Sequence, residues 1–359
     1  MEYGSEYESS ANDLYYTDTK QELPQGIYTR SGRDAFFLVA EDLHKYNVNT
    51  IYMPALCCPS MVDPFLHSGF KIKYYDIGDD FQGVLENESI KEEECILINN
   101  YFGKLSLPFQ KIDSFKLQNP NSKVIFDFTH ALLNYFKESC SLNNIDYCVA
   151  SIRKWLYLPS GGYLFTEKPI EIYNSKDFGF ANLRKQALQI KNRYLQNPEV
   201  RIKNEYRRLL SQAEHELQTI DSPNAISLID PTSLEILERI NIDLVAKVRM
   251  ENAIELYNSL STIQNHIRMI LTKDEIYSNP PLYFPIISEY RDDLQKILAE
   301  DYSIYCPVIW PIPKKAYGIS KRADNITQFM LAIPCDQRYS TQDMKHISLC
   351  VKKVLLCKN

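Results

Sequence analysis

The sequence predicts an α/β fold: a large domain built on a mostly parallel sheet, followed by a small C-terminal α+β domain. Three observations predict it. Short apolar runs alternate with helical patterns as far as Phe165, as a parallel sheet with right-handed crossovers requires. Several of these runs end in polar or charged residues, at the strand ends where open α/β sheets bind ligands. Beyond residue 234, a long helical pattern leads into three short apolar runs and a closing helix.

At roughly 100–200 residues per domain, 359 residues suggest two domains. We place an N-terminal arm at 1–27 and the large domain at 28–233, with a helical insertion at about 178–218. A linker helix and the small domain fill 234–359. A net charge of −6 carries no nucleic-acid footprint. Nine cysteines include no Cys-x-x-Cys pair and read as reduced thiols of a cytoplasmic protein. Cys57-Cys58 has no further ligand at metal spacing, so no metal is expected. The start, Met1 to Glu6, lacks the basic and apolar parts of a signal peptide. No apolar run reaches the ~18 residues of a membrane span, so no membrane partner is expected.

In chain order, residues 1–27 are polar and irregular, and are expected to run over the surface or pack on a partner. Ser31-Gly32-Arg33 opens a helical pattern, so free N–H groups, a hydroxyl and the helix dipole make an anion site there; an ordinary serine cap fits as well. Residues 49–54 read as a strand, 62–67 as a short helix and 70–77 as the next strand. The buried-strand pattern 95–103 leads to Asn100 and Tyr101, which read either as pocket residues or as a turn asparagine and a core tyrosine. A helix fragment covers 113–117. The run 123–127 ends in Asp127, with His130 three residues on; the alternatives are a loop acid and a core histidine. Strand 147–150 enters Ser151-Ile152-Arg153-Lys154-Trp155, and a second apolar strand follows Gly161-Gly162. A lysine packed by an aromatic ring loses hydration, which lowers its pKa and makes the amine nucleophilic; most lysines beside a tryptophan are surface lysines.

Residues 178–218 are helical and basic, which reads as a solvated helix face or, alternatively, a site for an anionic substrate. Residues 234–260 read as one long helix, 281–287, 303–309 and 328–334 as strands, and 341–355 as a helix. Trp310 in a stiff aromatic stretch could wall a substrate pocket. Arg338 could pair with a carboxylate, or form a surface ion pair.

Three segments in one order resemble the fold-type-I enzymes that use pyridoxal phosphate, and the DegT/DnrJ/EryC1/StrS sugar aminotransferases among them. Ser31-Gly32-Arg33-Asp34-Ala35 is similar to the family's phosphate loop. Asp127-Phe128-Thr129-His130 is similar to its Asp-Ala-Ala-Gln/His. Ser151 and Lys154 with Gly161-Gly162 are similar to its lysine segment. The resemblance covers residues 28–166 well and the rest loosely. Ser151 lies closer to Lys154 than the sugar aminotransferases space them, which points to other fold-type-I branches.

The resemblance implies an aspartate aminotransferase-like fold and a homodimer with shared sites. It implies pyridoxal 5′-phosphate as cofactor, bound through Lys154 as a Schiff base. Asp127 then pairs with the ring nitrogen, and His130 supports Asp127 or the phenolic oxygen. Ser31, Gly32, Arg33 and Ser151 bind phosphate, and Cys58 stands where the family has its stacking aromatic. Lys154 moves the proton of transamination from an amino donor such as glutamate to a keto sugar, expected to be nucleotide-linked, for surface polysaccharide or related biosynthesis. The family's motif that reaches the neighbouring subunit's phosphate is missing; Asn192-Arg193-Tyr194 is a faint echo, and Asn224, Ser227 or Thr232 are substitutes. Other readings are a lyase, dehydratase or desulfurase on the same cofactor, or a non-catalytic protein of this fold. The lack of Gly-x-Gly-x-x-Gly after a strand argues against a nicotinamide dehydrogenase.

Overall fold

The computed structural model describes residues 2–84, 94–136, 142–172, 177–220 and 225–356. Its main sheet is assembled from β1 (Ile27–Thr29), β2 (Thr50–Pro54), β3 (Lys71–Ile77), β4 (Gly83–Val84), β5 (Glu94–Tyr101), β6 (Lys104–Leu105), β7 (Lys123–Asp127), β8 (Tyr147–Ala150) and β9 (Gly162–Phe165). The order is β1-β9-β8-β7-β5-β2-β3-β4, with β6 beside β5. Strands β8, β7, β5, β2 and β3 run parallel, and β9 and β1 close one side antiparallel.

The central strands Thr50-Ile51-Tyr52-Met53-Pro54 and Lys123-Val124-Ile125-Phe126-Asp127 are buried throughout, as strands covered on both faces must be. Register pairs Asn99 with Asp127 and Asp127 with Val149. The parallel strands therefore deliver Pro54, Tyr101, Asp127 and Ala150 to one edge. The order reverses between β2 and β5, the crevice where such sheets bind ligands.

Helix α1 (Gly32–His44) packs on β8, β9 and α2 (Pro59–His67). Its apolar run Ala35 to Ala40 is buried on nearly every side because it lies between sheet and helix. Proline at the first position of α2 has no N–H to leave unpaired. Helices α3 (Phe109–Gln118) and α4 (Leu132–Tyr135) complete this part. Helices α5 (Gly179–Gln196) and α6 (Val200–Gln218) form an antiparallel hairpin on the stretch read as a solvated insertion. It is more buried than that reading: Phe180, Arg184, Ala187, Leu188, Tyr206 and Ala213 are all inside.

The long helix expected at 234–260 is two helices, α7 (Pro231–Leu237) and α8 (Ile242–Leu260). The break is a fresh cap: the Asn241 side chain accepts from the Leu244 N–H. A second, antiparallel sheet joins β10 (Arg268–Met269), β11 (Phe284–Ile287) and β12 (Met330–Ile333), with α9 (Lys273–Ser278), α10 (Arg291–Tyr302), α11 (Lys321–Phe329) and α12 (Thr341–Leu356) around it. The strand expected at 303–309 does not form. Ile304 makes a single bridge to Tyr3, and Pro307 and Pro311 lack the N–H groups a ladder needs. No helix among the described residues is long and apolar enough to cross a membrane.

The arm is part of the body rather than a surface strand. Tyr3, Tyr7, Ala11 and Tyr15 are buried. The Asn12 amide clasps Tyr157, donating to its carbonyl at 2.9 Å and accepting from its N–H at 3.2 Å. Glu2 pairs with Lys203, Glu6 with Arg184 and Glu8 with Arg338. Three basic residues of α5 and α6, Arg184, Lys191 and Lys203, are thus counterparts of an acidic arm.

Candidate active site

A cavity of about 460 Å³ opens at the carboxyl edge of the parallel strands. Ser31, Gly32 and Arg33 line it from the start of α1, and Cys58 with Pro59, Ser60 and Met61 from the turn after β2. Asp127, Thr129 and His130 follow β7; Ser151, Arg153 and Lys154 follow β8. Glu214, Leu217 and Gln218 of α6, Leu282 and Tyr283, and the stretch Pro307 to Pro311 complete the wall.

The segment Ser31-Gly32-Arg33 is held from behind by a buried ion pair. Arg30 donates from Nε to Asp34 Oδ2 at 3.2 Å and from Nη2 to Oδ1 at 2.5 Å. Asp34 also takes the Ser31 hydroxyl, and its N–H donates to Ser31 Oγ at 3.2 Å. Gly162 is where a neighbouring strand touches this loop: a Cβ there would stand 2.2 Å from the Ser31 carbonyl carbon and oxygen. Gly32 approaches Ser151 in the same way, with a notional Cβ 3.3 Å from the serine Cβ. Arg33 is held by Asp63 at 3.2 Å.

Asp127 is buried, and one carboxylate oxygen accepts the Thr129 N–H at 2.9 Å. Burial pushes its pKa above the usual range, while Thr129 and the nearby Lys154 ammonium pull it back. His130 is buried with no partner on either ring nitrogen among the described residues. It does not bond to Asp127; its ring lies 4.5 Å from that of Trp310 and edge-on to Phe102. Burial first, and then Lys154, hold its pKa well below 6.5.

Lys154 is exposed to the cavity, so the expected desolvation by Trp155 is absent. The tryptophan ring turns into the core instead: Nε1 donates to the Thr129 carbonyl at 2.6 Å and the Arg249 guanidinium covers the ring at 4.7 Å. The Trp155 carbonyl accepts from Tyr7, Gln337 and Arg249 at 3.0, 2.9 and 3.2 Å. Trp155 therefore anchors the segment from which Lys154 projects.

Nine of the residues singled out in the sequence line this one cavity: Ser31, Gly32, Arg33, Cys58, Asp127, His130, Ser151, Lys154 and Trp310. Asn100 and Tyr101 do not. Asn100 caps a turn by accepting the Gly103 N–H at 2.6 Å. The Tyr101 hydroxyl donates to the Leu56 carbonyl at 2.5 Å across the strand-order reversal, and its ring backs Trp310 at 4.7 Å. Arg338 lies in an adjoining cavity of about 130 Å³, which Lys154 and Arg153 also line. Its ion pair with Asp336 is buried, not on the surface.

Asn192 and Tyr194 bind the arm, through Ser10 and Glu2. Ser227 is buried and donates its N–H to Asp34, Thr232 accepts from Lys185, and Asn224 lies outside the described residues. Sequence reasoning missed Arg153 and the α6 residues Glu214, Leu217 and Gln218. Only the opposite charges of Arg30 and Asp34, one turn apart around Ser31-Gly32, offered a signal for the loop's support.

No protein-family model and no curated protein sequence matches the chain. Solved structures do. Spr1654 of Streptococcus pneumoniae in its PMP form, assigned as a sugar aminotransferase, superposes with a TM-score of 0.63 at 14% identity, over 96% of this chain and 94% of that one. PseC of Helicobacter pylori, an aminotransferase of pseudoaminic acid biosynthesis, gives 0.61 at 13% over 99% and 100%. A NifS-like protein gives 0.55 at 16% over 92% and 81%. The fold is thus that of the fold-type-I transferases, as the three sequence segments imply. Within that fold the nine residues gather at the strand edge used for ligands.

Proposed function

We propose that this chain is an aminotransferase dependent on pyridoxal 5′-phosphate, acting on an amino-acid donor, glutamate, and a keto sugar carried on a nucleotide. It works in the cytoplasm as a homodimer, with the large domain at 28–233 and the small domain at 234–359 closing on one cavity. The observation that carries the reading is the meeting of Asp127, Ser151 and Lys154, from the ends of β7 and β8, with Ser31-Gly32-Arg33 in that cavity. Sugar aminotransferases among the similar structures support the acceptor class.

The residues fit the cofactor. The start of a 13-residue helix offers N–H groups and Arg33 to a phosphate, with Ser151 beside it. Both His130 nitrogens are buried without partners among the described residues and so suit an additional polar group. When bound, pyridoxal phosphate supplies an electron sink for the substrate carbon. Asp127 would hold the proton on the ring nitrogen, and the raised pKa of its carboxyl favours sharing it. Lys154, with its amine free in the cavity, would hold the cofactor's aldehyde carbon and then carry a proton to and from the substrate α-carbon. Trp310 and His130, with rings 4.5 Å apart, and Cys58, with Sγ 3.0 Å from Ser60 Oγ, line the same cavity.

The test is the visible spectrum of the protein with pyridoxal phosphate, before and after glutamate, for wild type and Lys154→Ala. A band in wild type that the variant lacks and glutamate bleaches is the expected result. A band that ignores glutamate points to another reaction on the same cofactor, and no band sinks the cofactor assignment.

A further inference from the structure

We propose that Arg153 binds the α-carboxylate of the amino donor, a role the sequence offered to Arg338. The inference rests on the reading of Lys154 as the reacting amine. An amino acid carries its carboxylate on the same carbon as its amine. The carboxylate must therefore bind beside Lys154, and two cavities lined by described residues reach it. Four cations line these cavities: Arg33, Arg153, Lys154 and Arg338.

Arg338 is saturated. Its five N–H groups have five acceptors in the chain itself: Nε to Asp336 Oδ1 at 2.8 Å, Nη1 to the Glu6 carbonyl at 3.1 Å and Glu8 Oε2 at 3.2 Å, Nη2 to the Ser5 carbonyl and Asp336 Oδ2 at 2.9 Å each. A ligand carboxylate would have to displace a bidentate, buried partner. Arg33 is held by Asp63 and stands at the loop assigned to phosphate.

Arg153 is different on three counts. It lines both cavities, next in sequence to Lys154. Its Nε–H is buried with no acceptor among the described residues, which is an unmet demand for one. Its one carboxylate partner at ion-pair distance among the described residues is Glu214, at 3.0 Å from Nη1 and 3.3 Å from Nη2, while Glu6, held by Arg184, acts on it only from farther off. Glu214 is shared with Arg184 at 3.2 Å, and its side chain is 38% exposed, so Arg184 and water can take it over. The Phe180 ring, 5.6 Å from the guanidinium, keeps Arg153 at the cavity wall.

The probe is glutarate, which has the carboxylates of a donor but no amine to react. Its binding is measured by calorimetry on the cofactor-loaded protein, with the visible cofactor band read on the same samples. Arg153→Gln should weaken glutarate at least about 30-fold, with Arg153→Lys between it and wild type. Glu214→Gln should tighten glutarate several-fold, because it removes the competitor; a merely structural Arg153–Glu214 pair would give no such gain. Arg338→Gln should change it little. Glutarate bound equally by Arg153→Gln and wild type, or not bound by wild type, overturns the proposal, as does a loss that follows Arg338 instead. Glutarate lost in Arg153→Gln while wild type shows no cofactor band would uphold the anion site and sink the cofactor reading.

Discussion

Arg30 and Asp34 stand one helical turn apart and close on each other through two hydrogen bonds, with both side chains almost out of water. The pair sits directly behind Ser31, so the loop's position is set by a bond the solvent does not touch. Asp34→Asn would leave the Arg30 cation buried without its counter-charge, facing one amide oxygen and the Ala225 carbonyl at 2.8 Å. Removing one partner of a buried pair costs about 3–5 kcal/mol. Urea unfolding should show a loss of that size, and the cofactor should bind more weakly. An unchanged midpoint would mean that the pair contributes nothing to the loop.

Gly162→Ala tests the same loop from the other side. The new methyl would meet the backbone of Ser31, which cannot rotate away as a side chain can. Overpacking of this kind costs about 1–3 kcal/mol, and here it should also displace Ser31 from the cavity. Thermal unfolding and the intensity of the cofactor band should fall together. Gly179→Ala, whose Cβ would meet nothing closer than 3.2 Å, is the control and should leave both unchanged.

His130 should make the fold sensitive to acid. Its pKa is depressed in the folded protein by burial and by Lys154, so the folded state resists a proton that the unfolded chain accepts. Stability from this group is fully present above about 6.5 and is lost as pH falls toward the folded value, by up to about 1.4 kcal/mol per unit. Asp127, with a raised pKa, has the opposite slope, which starts from the usual carboxylate range. His130→Phe keeps an aromatic ring against Trp310 and Phe102 but has nothing to protonate. Its unfolding midpoints from pH 7.5 to 5.5 should fall less steeply than those of wild type; parallel lines would remove His130 from the account.

The sequence made the sheet and one side of the cavity readable because their signals are local. Asp127 ends a strand of five buried residues, and Ser31-Gly32 opens a helix with its own cap. Tyr101 and Asn100 were ambiguous for the same reason: a strand end looks alike whether its last side chains face a ligand or the next strand. Trp155 was misread because its direction is fixed from Arg249, 94 residues away, and from Tyr7, 148 residues away. Glu214 carried no signal at all, since a charged residue on a basic helix reads as solvated until the hairpin is folded onto the cavity.

The acidic arm also bears on how the chain comes together during synthesis. The Gly4 N–H binds the Tyr339 hydroxyl and the Tyr3 hydroxyl binds Asp343, across 335 and 340 residues. A nascent chain carries the arm long before those partners exist. The small cavity beside Lys154, walled by Gly4 to Tyr7 on one side and Asp336 and Arg338 on the other, is therefore finished only after release of the late segment from the ribosome.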